Sequence, residues 1–260
     1  LHYSFNLEDW YPLFVDIPIA FGGSCNSIYI QGALGTQITG FKCPDFVISG
    51  NDADVIVSGN IMALISPEYV ETGCKDLTGA ANGVFSKPFF NIRTISDICK
   101  LSLPAETLTA NCYDSMFYGC TGLTTLPSNL LPATTLASSC YDSMFHGCTG
   151  LTTLPSNLLP ATDLAESCYS SMFSDCTGLT TLPSNLLPAT TLATSCYSNM
   201  FSFCRKLSTL PSDLLPAMNL ASYCYQSMFS STGLTEAPEL PAITLASFCY
   251  VEMFSGCQQL

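Results

Sequence analysis

Positive charge is scarce in this chain: its 260 residues hold seven Lys and Arg against twenty Asp and Glu, a formal net charge of −13. That balance removes the electrostatic footprint that nucleic-acid binding requires and disfavours anionic membrane surfaces as well. Histidine is limited to His2 and His146, so zinc, which wants closely spaced Cys or His pairs in loops, is not expected. No stretch reaches the 18 or so apolar residues of a membrane helix. No basic segment followed by an apolar run precedes Leu1, so any signal peptide or lipid anchor is expected to have been removed or to lie outside this sequence. Phosphate-cradling glycine loops are also missing. What is plentiful is apolar surface. With 48% hydrophobic and only 10% charged residues, the chain can bury a large elongated core and is not expected to be disordered.

Order comes from a repeated sentence, Leu123-Thr124-Thr125-Leu126-Pro127-Ser128-Asn129-Leu130-Leu131-Pro132-Ala133, closing with Cys140-Tyr141, Met144-Phe145 and Cys148. Its leading leucine returns at Leu151, Leu179, Leu207, Leu234 and Leu260, a period of about 28 residues in the range of solenoids. One such repeat cannot bury its own apolar face, so each needs neighbours on both sides. The reading is an α/β repeat solenoid, a right-handed, leucine-rich-repeat-like array of short strand plus helix units behind a β-rich N-terminal cap. The cap is placed at residues 1–94. Residues 95–260 form about six repeats of roughly 26 to 28 residues.

In the second half of each unit, Cys140, Tyr141, Met144, Phe145 and Cys148 stand at relative positions 0, 1, 4, 5 and 8, one stripe at helical spacing. Ser138, Ser139, Asp142, Ser143, His146 and Gly147 fill the other side as a solvated face. In the first half, Leu-Thr-Thr-Leu is β-prone, and Pro127 limits any strand to a few residues. The cysteines of the stripe are expected to stay reduced. Within one unit they are about 12 Å apart along a helix, and helix spacing of roughly 8 to 10 Å separates equivalent positions of neighbouring units. Cap strands are expected at Tyr11 to Ile17, Ser27 to Gln31, Phe46 to Ser49 and Val55 to Ser58. A plain turn is expected at Gly50 to Asp54. Thr72 to Phe90 reads as a defective helix, ended or kinked by Pro88, with Phe89 in the place of Phe117.

Met-Phe-x-x-Cys followed by x-x-Leu-x-x-Leu-Pro, with Leu-Pro-Ala-Thr-Thr-Leu-Ala leading to the next Cys-Tyr, resembles the BspA-like leucine-rich repeats of bacterial surface proteins. Val57-Ser58-Gly59-Asn60-Ile61-Met62-Ala63-Leu64-Ile65 is similar to the segment that precedes such arrays in proteins of gut Bacteroidales and their phages. The resemblance covers the repeats firmly and the cap loosely. It implies a surface-exposed binding or adhesion role, extracellular or on a virion, and no catalytic residues. Pro127 departs from the general pattern by interrupting what would be a longer Leu-x-x-Leu-x-Leu strand, which argues against a deep horseshoe.

No constellation for catalysis is visible. His2 and His146 lack orienting partners, and Asp114, Asp142, Asp163, Glu166, Asp175 and Asp213 are scattered over exposed repeat positions. No enzyme activity, cofactor or metal is expected. The tyrosines from Tyr113 to Tyr250 belong to the core, each hydroxyl reaching its rim. The candidate ligand face is the threonine ladder of Thr124, Thr125, Thr152, Thr153, Thr180, Thr181, Thr209 and Glu236, beside the plainer reading of Thr as a soluble β-former. Two roles follow. One is a recognition or adhesion module for protein or glycan ligands. The other is a structural or assembly component, such as a spacer or a phage tail or virion protein. Gln258-Gln259-Leu260 opens a further unit, which predicts continuation or docking at that end.

Overall fold

The computed structural model describes residues 2–4, 11–12, 27–31, 46–50, 54–65 and 72–260. Seven strands form one sheet: β1 (His2–Ser4), β2 (Tyr11–Pro12), β3 (Ser27–Gln31), β4 (Phe46–Gly50), β5 (Val55–Asn60), β6 (Ile95–Asp97) and β7 (Leu101–Ser102). Their order is β2-β1-β3-β4-β5-β6, with β7 also on β5. The first five pair antiparallel, and β5 then pairs parallel with β6 and β7, Val55 opposite Ile95 and Gly59 opposite Leu101. Thus the last cap strand is laid along the first repeat, and Val57, Ile61 and Met62 are buried with it. Most of the strand expected from Tyr11 to Ile17, and Asn51 to Ala53 of the expected turn, lie outside the described residues. Gly50 stands opposite Val55 in the register of β4 and β5.

The helix expected in each repeat is not formed. Among the described residues the one helical element is the 3-10 turn Ile61–Leu64, capped by the Asn60 side chain accepting from the Met62 N–H. The Cys-Tyr-x-x-Met-Phe segments are instead ladders of turns in which two kinds of hydrogen bond alternate. Even-numbered N–H groups donate locally, as Cys140 to Ala137, Asp142 to Ser139, Met144 to Tyr141 and His146 to Ser143. Odd-numbered N–H groups donate to the next repeat, Ser139 to Glu166, Tyr141 to Cys168, Ser143 to Ser170, Phe145 to Met172 and Gly147 to Ser174, at 2.8–3.0 Å. Every fourth residue must then take positive φ: 53° at Ser139, 53° at Ser143 and 69° at Gly147. A helix needs φ near −63° throughout, so this backbone cannot be one. The side chains run two in, two out, a period of four that also satisfies positions 0, 1, 4, 5 and 8.

Repeats therefore stack as layers. Tyr113, Tyr141, Tyr169, Tyr197, Tyr225 and Tyr250 form one column of parallel rings, and Phe89, Phe117, Phe145, Phe173, Phe201, Phe229 and Phe254 another, with centroids 5.2–6.1 Å apart. Two stacked pairs per interface contribute about 1–3 kcal/mol beyond area burial. The spacing lies between that of paired strands and that of packed helices, and it corrects the expected separation of about 8 to 10 Å. Along one cysteine column the Cys112 and Cys140 thiols lie 3.9 and 4.0 Å from the backbone carbonyl of the cysteine in the next layer. All described cysteines are free thiols. Where a unit carries a second thiol, it donates to the phenylalanine carbonyl of the layer before, Cys148 to Phe117 at 3.1 Å, Cys176 to Phe145 and Cys204 to Phe173 at 3.2 Å.

The short strands expected at Leu-Thr-Thr-Leu are also absent from Leu123 onward. Single parallel bridges form elsewhere in the unit, Thr107 to Thr135 to Asp163 and Thr191 to Asn219 to Thr244. The layered pattern begins before residue 95: Gly83, Lys87 and Asn91 have positive φ, and Phe85 and Phe89 donate to Cys112 and Met116. Pro88 ends no helix there. It stands at an even position, where it removes one local bond and leaves the cross-layer bonds intact.

Candidate functional site

The threonine ladder rests on a two-in, two-out corner. Leu123 and Leu126 are buried, as are Leu151, Leu154, Leu179 and Leu182, which turns Thr124, Thr125, Thr152, Thr153, Thr180 and Thr181 outward, all exposed. Register along this face is held in part by the threonines themselves. The Thr180 N–H and Oγ1 both donate to the Thr152 carbonyl, at 3.1 and 3.2 Å, and Thr235 does the same to Ser208. Thr209 and Glu236 are exposed too and share a cleft of about 300 Å³ with Leu210, Ser212, Ala237, Pro238 and Glu239. The shortened turn of that repeat opens it. The face thus offers hydroxyls and methyls in register, ending on a carboxylate-lined cleft.

Next along each unit, Asn129, Asn157 and Asn185 extend the exposed polar surface with φ of 60°, 62° and 55°. Their signal was the Ser-Asn pair between two prolines, since Asn tolerates the left-handed region. The Asn185 N–H donates to the Asp213 carboxylate at 3.1 Å.

The opposite side is less open than expected. Ser115, Ser174, Ser198, Ser202 and Ser227 are buried, and Asp142 and His146 are half-buried. His146 stacks on Tyr118 at 4.4 Å, and Tyr118 on Phe90 at 4.7 Å. Burial lowers the His146 pKa, opposed by Asp175, and its Nδ1 has no partner. It is part of a short outer ring column rather than a free surface side chain. Asp114 accepts from Ser86 and Ser115 and lies 3.8 Å from Lys87. Glu106 pairs with Lys75 at 2.6 Å. These carboxylates tie layers together.

Within the core, burial pushes the Cys140, Cys196 and Cys204 thiols up to about 12, which leaves them poor nucleophiles. The hydroxyls of Tyr113 and Tyr169 do not reach the rim; they are buried without a partner. Among the described residues no group of three His, Cys, Asp or Glu side chains could hold a metal ion, and no helix is long and apolar enough to cross a membrane. Comparison with protein-family models, with curated proteins and with solved structures found no match to this chain.

Proposed function

We propose that the repeats form a solenoid of the leucine-rich-repeat-like kind, related to the BspA-like arrays, that acts without catalysis as a recognition or adhesion module at a cell surface or on a virion. Its ligand, a protein or glycan, is bound along the threonine face. The observation that carries this reading is the run of exposed, in-register threonines between buried leucines, a flat polar surface extending over successive layers. Such a surface binds by extended contact. The test is aspartate at Thr125, Thr153 and Thr181, read on protein and glycan arrays. Binding should be lost with the melting temperature unchanged. Lysine at Ser138, Glu166 and Thr194, exposed at the start of the turn ladders, should leave it intact. Equal loss from both sets, or from neither, would remove the threonine face from the function.

A structural or assembly role is the second reading. It is favoured by exposed positions that hardly vary: Ser128-Asn129, Ser156-Asn157 and Ser184-Asn185 are identical, whereas a tuned site diversifies. Electron microscopy of the native particle or cell surface separates the two.

A further inference from the structure

One loop of the array is shorter than its neighbours. Six residues lead from Phe201 to Leu207 through Cys204-Arg205-Lys206, and six from Phe254 to Leu260 through Cys257-Gln258-Gln259, but five from Phe229 to Leu234. The three phenylalanines stack as successive layers, 5.9 and 6.1 Å apart, so the middle loop retracts between two longer ones. A cleft of about 400 Å³ results, lined by Arg205, Ser231, Thr232, Gly233, Gly256, Gln258 and Gln259. Its floor is bare of side chains for steric reasons. A Cβ at Gly233 would stand 2.4 Å from the fixed Arg205 carbonyl, and Gly256 has φ of 76°, where any other side chain is strained.

The lining groups are unspent. The described ion pairs join Lys75 to Glu106 and Lys87 to Asp114, and none engages Arg205. Thr232 Oγ1 donates to the Phe229 carbonyl at 2.8 Å, leaving the guanidinium, the Ser231 hydroxyl and two primary amides to face the space. Elsewhere the units carry Thr-Gly at this place, as Thr121-Gly122, Thr149-Gly150 and Thr177-Gly178. Arg205 breaks that pattern beside the one retracted loop.

We propose that this cleft binds the carboxylate of an acidic sugar. A guanidinium fork matches a carboxylate with two parallel N–H···O bonds, and the glutamine amides can both donate to and accept from neighbouring ring hydroxyls. No aromatic ring lines the cleft, so a neutral sugar gains no stacking there. With one lining cation in a chain of net charge −13, a singly charged carboxylate fits better than a phosphate dianion. The choice of a sugar rests on the recognition role proposed above; the choice of a carboxylate rests on the cleft alone.

Titration of the full chain with methyl glucuronide, methyl glucoside, acetate and inorganic phosphate, followed by NMR, tests it. The glucuronide should saturate, and the other three should bind at least about tenfold more weakly. Arg205→Gln, at an exposed position, should weaken the glucuronide by about tenfold or more without moving the melting temperature. A cysteine inserted between Ser231 and Thr232, restoring the length of the neighbouring loops, should abolish binding. Ser138→Lys, exposed and outside both the cleft and the threonine face, should leave it unchanged, and the threonine variants are read on the arrays alone, which keeps a failure of that face distinct. Glucoside or phosphate binding as tightly as the glucuronide, or Arg205→Gln binding as well as the parent, overturns the proposal. Acetate matching the glucuronide overturns the sugar while sparing the carboxylate.

Discussion

Gly147→Ala distinguishes a ladder of turns from a helix by the sign of its effect. Gly147 has φ of 69°, and its N–H donates to the Ser174 carbonyl at 2.8 Å. A Cβ there would meet Gly119 Cα at 3.7 Å and N at 3.8 Å, ordinary contact, so space is not at issue. The cost is the left-handed backbone alone, about 1–2 kcal/mol for a residue with a Cβ. In a helix the same change would gain about 1 kcal/mol. At about 2–4 °C per kcal/mol for a chain of this size, the melting temperature should fall by roughly 2–8 °C, with the urea m-value unchanged. Gly150→Ala is the companion. Its Cβ would lie 2.6 Å from the Thr121 carbonyl and 2.8 Å from that of Leu123, fixed backbone atoms, and the loss should be larger. Ser171→Gly, at φ of 53°, should be neutral or stabilising. A rise in melting temperature for Gly147→Ala, or a loss of about 1 kcal/mol for Ser171→Gly, would refute the turn ladder.

Met144→Asp should cost several kcal/mol, because an unpaired carboxylate would replace a fully buried side chain between two ring columns; urea unfolding checks it. Burial raises the Asp142 pKa above its ordinary value, with the Ser143 hydroxyl opposing. The folded state therefore holds this proton more tightly than the unfolded one. Its penalty is absent at low pH and appears as pH rises through the raised pKa, so Asp142→Asn should stabilise at pH 7 and have less effect near pH 4. Iodoacetamide at pH 8 should modify the exposed Cys99 while sparing Cys140, Cys196 and Cys204, which react only on unfolding; peptide mapping reads the order, and early labelling of Cys140 would contradict the buried columns.

The inward residues were legible in the sequence because two different backbones put them on the same side. Over the nine residues from Cys140 to Cys148, a period of 3.6 and a period of four both select positions 0, 1, 4, 5 and 8. The discriminating signal was thin: of the residues that recur every fourth place between them, Gly147 is of a type that favours positive φ, while Ser139 and Ser143 are not, and take it only because the cross-layer bonds require it. Propensity for α-helix was weak there throughout, and the cross-layer bonds decided the matter. Phe89 was legible in the place of Phe117, but Phe85 was not read with it, and Pro88 argued against a regular unit before residue 95 only as long as a helix was assumed. The outward threonines were legible from the leucines on either side of them, but strict strand alternation would have turned one of each pair inward, and it is the two-in, two-out corner that exposes both Thr124 and Thr125. The cleft at Arg205 was not legible, since it needs the length of one loop compared with those above and below it.

The alternating bonds also have an electrical consequence. The C=O of Cys140 and the N–H of Tyr141 belong to one peptide group, which accepts from Tyr113 on one side and donates to Cys168 on the other. The same holds at Asn111, Ser115, Phe117 and Gly119 and their equivalents, so five continuous chains of peptide groups run along the stack with every N–H directed toward the C-terminal layers. Peptide dipoles of about 3.5 D repeated at the ring spacing place about 0.1 elementary charge at the ends of each chain, and roughly half a charge for the five together. The positive pole lies toward Ser231, Ser255 and Gly256. In a strongly acidic molecule the backbone itself thus makes one end of the stack the more hospitable to anions, with a polarity that no pattern of side chains would have to supply.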